Sequence, residues 1–323
     1  MNPISLYTKN LRGFLKLAAP LRIVCDSSNG TTGIILRRLK DTKLNLVLSN
    51  QKPDGRFPAH GPDPWAKGAA NNLKKRVRSA RADFGVIFDA DGDRAFFVDD
   101  KGRLVPQEAL ILLFKDDFPP PYLIDIRMGW LVKKAGLKLV ESRVGHFFMR
   151  KIMREKNLKL GAEFSGHTYF EYFLGGPLPR SPRWSFGEAG KSALWPRGGG
   201  RRCYFDSGLR SLVHFANGTS RLKAKGKKLS EWLDSLPRYY RSGEINFRVA
   251  DKKAAIQKIE ARFKKSAHRV SRLDGLFIEF GKWWFSVRPS NTEPLLRLNI
   301  EAKNKKILAR ETKRLTTLIV RNA

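Results

Sequence analysis

The sequence predicts an α/β protein: two α/β domains with mixed sheets, over residues 1–102 and 103–238, then a small α+β domain over 239–323. Three observations predict it. Short apolar runs alternate with helical patterns as far as about residue 240. From about 242 the texture changes, with several strand patterns between two helices. A chain of 323 residues with 41% hydrophobic content has enough apolar material for more than one core.

Taken in order, "LRIVCD" is an apolar strand, "SSNGTTG" a turn of small residues, "IILRRLK" a helix and "LNLVLS" a second strand, which together make a βαβ unit. Residues 51–64, "QKPDGRFPAHGPDP", are loop by their Pro and Gly content. A helix over 71–82 leads into a buried strand over 83–91, so the acidic stretch after it sits at a strand's C-terminal end, where open sheets collect ligands. Residues 96–106 continue as a strand and a Gly turn that reads as a hinge. Helix, strand, helix, strand and helix follow to about 157, then a strand pair in "LKLGAEFSGHTYFEYF". Residues 175–202, rich in Gly, Pro and Arg, predict an irregular insertion, and two helices close the domain. The last domain reads strand, helix, hairpin-like pair, strand and a final amphipathic helix.

Composition excludes some classes. No apolar run approaches the roughly 18 residues of a membrane span, and the N-terminus lacks the pattern of a cleaved leader. Cys25 and Cys203 make neither a disulfide framework nor a metal-ligand spacing, which points to the cytoplasm. The formal net charge of +33 attracts phosphorylated molecules. It is spread along the chain without a nucleic-acid-binding motif, and "KAKGKK" (223–228) is the one dense run, so nucleic acid is not an expected partner.

The turn "FDADGDRAFFVDD" carries the most specific signal. Asp89, Asp91 and Asp93 at alternate positions wrap around one point, and three carboxylates there call for a cation. Mg2+ suits them, because it takes carboxylate oxygens and keeps sites open for a phosphate oxygen. Arg94 is expected to point outward and hold a phosphate in a forked contact, which suggests phosphoryl transfer. A calcium EF-hand competes, but Arg94 stands where that loop needs Gly and the flank is strand; a solvated acidic turn without ligand is the other alternative.

Two further loops are candidates. "GAEFSGH" places Glu163, Ser165 and His167 at alternate positions, a set that suits sugar hydroxyls, with His167 also able to move a proton; an ordinary strand-end turn is the competing reading. "RPSNTEP" offers Arg288, Ser290, Asn291 and Thr292 as a phosphate nest, with Arg297 beyond it, against a plain Pro/Asn turn. Arg143 and His146 lie in another Gly turn, "RVGH".

In order, the acidic turn, "GAEFSGH" and "RPSNTEP" resemble the α-D-phosphohexomutase superfamily of phosphomannomutases and phosphoglucomutases, and "CDSSNGTTG" and "PDGRFPAH" fit its second domain. The resemblance covers nearly the whole chain and implies two phosphohexomutase-type α/β domains before the C-terminal one. It implies Mg2+ on Asp89, Asp91 and Asp93, with Arg94 beside it. Glu163, Ser165 and His167 would read the sugar; Arg288, Ser290, Asn291 and Thr292 would hold phosphate; Arg143 would take a basic active-site position. It implies an isomerase that moves a phosphoryl group between O1 and O6 of mannose or glucose phosphate through a hexose 1,6-bisphosphate, with hinge motion near 236–244. The motifs do not choose between glucose and mannose. The family's first domain, with its phosphoserine loop, has no counterpart in this sequence. The expectation is a first domain supplied as a separate polypeptide, or else a truncated, non-catalytic sugar-phosphate-binding protein.

Overall fold

The computed structural model describes residues 2–174, 201–290 and 293–320. The first domain runs α1 (Pro3–Gly13), β1 (Leu21–Asp26), α2 (Thr32–Leu36), β2 (Leu44–Ser49), α3 (Asn71–Ser79), β3 (Phe84–Phe88) and β4 (Ala95–Asp99). Its sheet order is β2-β1-β3-β4, parallel except for the β3–β4 hairpin. Every residue of β3 is buried, as expected of a central strand covered on both faces. The acidic turn is the tip of this hairpin. Helix α1 was not legible from its weak amphipathy; Asn2 caps it by accepting from Ile4 N, and Pro3 opens its first turn.

The second domain runs α4 (Gln107–Phe114), β5 (Tyr122–Asp125), α5 (Trp130–Lys133), β6 (Leu139–Ser142), α6 (His146–Glu155), β7 (Leu160–Ala162), β8 (Thr168–Leu174), β9 (Arg201–Asp206), α7 (Gly208–Ala224) and α8 (Leu229–Asp234). The sheet order is β6-β5-β7-β8-β9, with β8 antiparallel to both neighbours. The irregular insertion expected over 175–202 is corrected at its end: Arg201 and Arg202 begin β9, opposite Leu174 and Phe173. The ladder with β8 satisfies their backbone groups, a long-range pairing that local composition cannot show. The rest of that expectation lies outside the described residues. The 96–106 stretch, read as a hinge, is tied down, because Arg103 pairs with Asp99 at 2.7 Å and with Asp234 at 2.6 Å.

The third domain runs β10 (Tyr240–Arg241), β11 (Ile245–Arg248), α9 (Lys252–Phe263), β12 (Arg269–Ser271), β13 (Leu276–Glu279), β14 (Trp283–Pro289), β15 (Leu295–Ala302) and α10 (Lys305–Val320). Its sheet is antiparallel throughout, in the order β10-β15-β14-β13-β12, with β11 also on β15. It has its own core around Phe263, Phe285, Leu298 and Ile319. The first two domains instead share one core: Phe97 on β4 stacks on Phe215 of α7 with ring centroids 3.9 Å apart.

The last domain docks on the second through Ile126, Trp130, Phe277 and Trp284. Glu301, 2% exposed, sits at this junction. It accepts from Trp130 N, Trp284 Nε1 and Arg241 Nε, each at 2.8 Å. The 236–244 linker is therefore anchored to the last sheet through β10. Among the described residues, no helix is long and apolar enough to cross a membrane.

Candidate active site

The β3–β4 hairpin brings ligand oxygens of Asp89, Asp91 and Asp93 within 4.8 Å of one another. Glycine makes the turn feasible. Gly92 has φ +80°, and the loop after β1 approaches so closely that a Cβ on Gly30 would lie 2.2 Å from Ala90 O. Thr31 N donates to Ala90 O at 3.0 Å, and its hydroxyl to Asp91 O at 3.1 Å. Asp89 is buried; its Oδ1 accepts from Gly92 N and Arg94 N, each at 3.1 Å. Arg94 turns back into the loop rather than outward, its Nε donating to Asp89 Oδ2 at 2.5 Å.

Burial, and then the charge of Asp89, push the Asp93 carboxyl up to about 7. Its Oδ1 is buried without a hydrogen-bond partner. A crowded carboxylate with an unused oxygen fits a hard divalent cation. A cation must displace the proton, so Mg2+ affinity is expected to rise with pH between about 6 and 8, with release of about half a proton at about pH 7 and close to one at about pH 6. Titration calorimetry in buffers of different ionisation enthalpy measures both; affinity flat over that range excludes Asp93 as a ligand.

The second domain closes over this turn. Ala95 N bonds to Gly166 O at 3.4 Å, Arg94 and His167 form an isolated β-bridge, and Gly208 N bonds to Gly92 O at 3.0 Å. His167 Nδ1 lies 3.6 Å from Asp93 Oδ1 and 2.9 Å from Asp206 Oδ2, and His146 Nδ1 is also 2.9 Å from that oxygen. Burial opposes ionisation of Asp206, but the two imidazoles hold its carboxyl well below the usual range. The bond to Asp206 in turn raises His146 above the ordinary histidine value.

Glu163 is 2% exposed. Its oxygens accept from Gly145 N at 2.6 Å, Tyr169 OH at 3.1 Å and the Ser165 hydroxyl at 3.2 Å. Trp65 reaches across from the 51–70 loop, its Nε1 donating to Ser165 O at 3.4 Å.

The predicted arginines form a second group at the junction of the last two domains. Arg288, Arg297 and the buried Arg127 all approach Glu244, at 3.7, 3.5 and 4.0 Å. Burial, then the charge of Arg127, hold the Arg288 guanidinium below its ordinary value. Arg288 Nε and Arg297 Nε are buried without partners. Arg127 also pairs with Asp125 at 2.9 Å and Arg297 with Glu293 at 3.4 Å, so the unused Nε donors of Arg288 and Arg297 are what suits the group to an anion. Ser290 is buried nearby, while Asn291 and Thr292 lie outside the described residues. Arg143 is half exposed and 4.0 Å from Asp274.

Among the described residues, no ion pair joins the arginines directly to the acidic turn. The 163–167 loop touches both: His167 faces Asp93, and Phe164 N donates to Asp125, the partner of Arg127. Sequence reasoning missed Asp206, Tyr169, Arg127, Asp125, Glu244 and Trp65. Tyr169 lies two residues beyond His167 on the strand that continues the loop, but the others come from distant segments, and none stands in a polar motif of its own.

The architecture agrees with known proteins. The chain matches the models for phosphoglucomutase/phosphomannomutase α/β/α domain II over residues 6–102, α/β/α domain III over 128–240 and the C-terminal domain over 244–318. A phosphomannomutase of Methanocaldococcus jannaschii is 33% identical over 317 residues, which cover 94% of this chain and 62% of that protein. A phosphoglucomutase/phosphomannomutase family protein of Burkholderia thailandensis superposes with TM-score 0.77 at 26% identity, over 98% of this chain and 64% of that one. Aspergillus fumigatus N-acetylphosphoglucosamine mutase, in complex with GlcNAc-6P and magnesium, shares the fold at TM-score 0.56 and 16% identity, over 98% of this chain and 68% of that one. The chain thus spans less than two thirds of the length of the first two. With three domain models matched in order along nearly its whole length, it belongs to the phosphoglucomutase/phosphomannomutase family.

Proposed function

We propose that this chain is the metal-, sugar- and phosphate-binding part of a phosphohexomutase that interconverts the 1- and 6-phosphates of mannose or glucose. One observation carries the reading. Unused buried polar atoms of opposite kind, Asp93 Oδ1 on one side and Arg288 Nε and Arg297 Nε on the other, flank a single loop with the groups a sugar needs.

In this reading Arg288 and Arg297, backed by Arg127, grip the phosphate that is not reacting. Ser165 and Glu163 take sugar hydroxyls, Glu163 exchanging its bond from Ser165 for one from the substrate. The Asp206 carboxylate, 2.9 Å from His167 Nδ1, stabilises the imidazolium that forms when His167 accepts the proton of the attacking hydroxyl, before returning it in the second transfer. Arg94, held by Asp89, places positive charge beside the moving phosphoryl group. Arg143, half exposed beside Asp274, supplies a further positive charge for the substrate phosphate. Asp89, Asp91 and Asp93 would hold Mg2+, which when bound withdraws charge from a phosphate and makes its phosphorus more electrophilic. The magnesium in the Aspergillus mutase supports this assignment. The unpaired thiols of Cys25 and Cys203 suit a cytoplasmic setting.

The phosphoryl group passes from a phosphoserine to the free sugar hydroxyl, giving the 1,6-bisphosphate, and the other phosphate then returns to the serine. We assign that serine to residues outside these 323, on a first domain. A largely apolar groove of about 490 Å³ beside Asp91 and Asp93, lined by Ile4, Tyr7, Ile35, Tyr172 and Phe205, supports a seat for that domain.

The test is an assay with mannose or glucose 1-phosphate plus the 1,6-bisphosphate, with and without a first-domain polypeptide carrying the phosphoserine loop. Turnover only with that polypeptide is expected. Turnover by the lone chain refutes the external serine. No turnover in either arm, together with no sugar-phosphate binding by calorimetry, overturns the whole reading.

A further inference from the structure

The dense basic run at 223–228 has no part in the site above. It lies at the far end of α7. That helix begins at Gly208 against the acidic turn and ends 17 residues later, so about 25 Å separates its ends. There the run forms one wall of a cavity of about 710 Å³ between the first two domains, and the end of α3 with the β4 turn forms the other. That volume lies within the usual range of small-molecule sites.

The charges around it do not balance. Asp83 is taken by Lys223 at 2.8 Å and by Arg22 N, also at 2.8 Å. Asp100 accepts from both the backbone and the hydroxyl of Ser230 at 2.8 Å. Lys101 pairs with Asp234 at 3.2 Å. Four lining cations, Arg78, Arg81, Lys227 and Lys228, have no acidic partner among the described residues. Thr219 also lines the cavity; it is 2% exposed, and its hydroxyl is buried without a partner.

Among the four, Arg81 stands apart in its backbone. It follows α3 with φ +48°, in the left-handed conformation that favours glycine at a helix end. Here that position carries a guanidinium that lines the cavity. Glycine would sit there with less backbone strain, so the guanidinium can be removed without loss of the turn.

We propose that this cavity binds a small oligophosphate, either inorganic pyrophosphate or the phosphate chain of a nucleotide. The guanidinium groups fork onto phosphate oxygens and the two lysines supply point charges. The Thr219 hydroxyl finds its partner in the ligand. Ala82 and Leu229 give an apolar patch beside the charges. The cations are exposed at the rim of a half-open pocket, so a short ligand can enter and reach Thr219 at its wall.

Calorimetry on the whole chain at low salt with EDTA, using pyrophosphate and ATP in separate arms, tests this. Binding of either is expected, and the stronger of the two identifies the source. Arg81→Gly is expected to weaken it at least tenfold with a melting temperature no lower than the parent's, because glycine relieves the backbone. Thr219→Val is expected to weaken it as well, and Arg288→Ala to change it less than twofold. Absent binding, an Arg81→Gly variant with parental affinity, or loss in Arg288→Ala instead, each overturns the proposal. So does single-stranded RNA that binds more tightly than pyrophosphate and depends on Arg81. None of these outcomes bears on the mutase assay.

Discussion

Asp89→Asn is expected to abolish divalent-ion uptake at millimolar Mg2+ and also to lower unfolding free energy by about 3–5 kcal/mol. The two losses share a cause. Asp89 is buried, accepts two backbone N–H groups of its own turn and pairs with Arg94 Nε. An amide in its place turns a donor toward one of those donors and leaves Arg94 without its shortest ion pair. Asp91→Asn separates the effects. Asp91 is exposed and its side chain supports nothing else, so the metal is lost while stability stays within about 0.5 kcal/mol. Calorimetry with Mg2+ or Mn2+ and urea denaturation of both variants decide it. Metal binding retained by both would remove the cation from the turn.

Glu301→Ala is expected to release the last domain. Glu301 is the one acceptor that Trp130 N, Trp284 Nε1 and Arg241 Nε share, and it sits in the seam between domains. Removing it leaves two N–H groups in the seam without an acceptor and Arg241 with Glu108 alone as its carboxylate partner, at a cost of about 2–4 kcal/mol. The last domain has a core of its own, so the loss falls on the seam. Scanning calorimetry should show one transition splitting into two. Trp130 and Trp284 lie in the seam, so tryptophan fluorescence should report the earlier one. A single transition at the parental temperature would mean that the apolar contact alone joins the domains.

What the sequence disclosed follows the range of the interactions. The acidic turn was legible because its chemistry is local: alternate carboxylates need nothing from elsewhere in the chain to be recognised as a cluster. Strands β1, β3 and β14 were legible because buried strands are continuous apolar runs. Strand β9 was hidden because its pairing with β8 crosses a long stretch rich in Gly, Pro and Arg. Asp206 was hidden for the same reason, although it holds both His146 and His167. The direction of Arg94 was not legible either. A guanidinium beside carboxylates can serve a ligand or its own loop, and only the burial of Asp89 decides between them. Arg127 reads as an ordinary basic residue until β5 and the last sheet set it beside Arg288.

The backbone stitches from Gly92 to Gly208, and from Ala95 to Gly166, carry a consequence for the proposed mutase reaction. They tie the acidic turn and His167 into one jaw, whereas Arg288 and Arg297 belong to a separately folded block. A two-ended molecule can then be flipped and offered to the same jaw twice. In the proposed reaction the same edge meets both ends of the bisphosphate, and it need not be rebuilt between the two transfers.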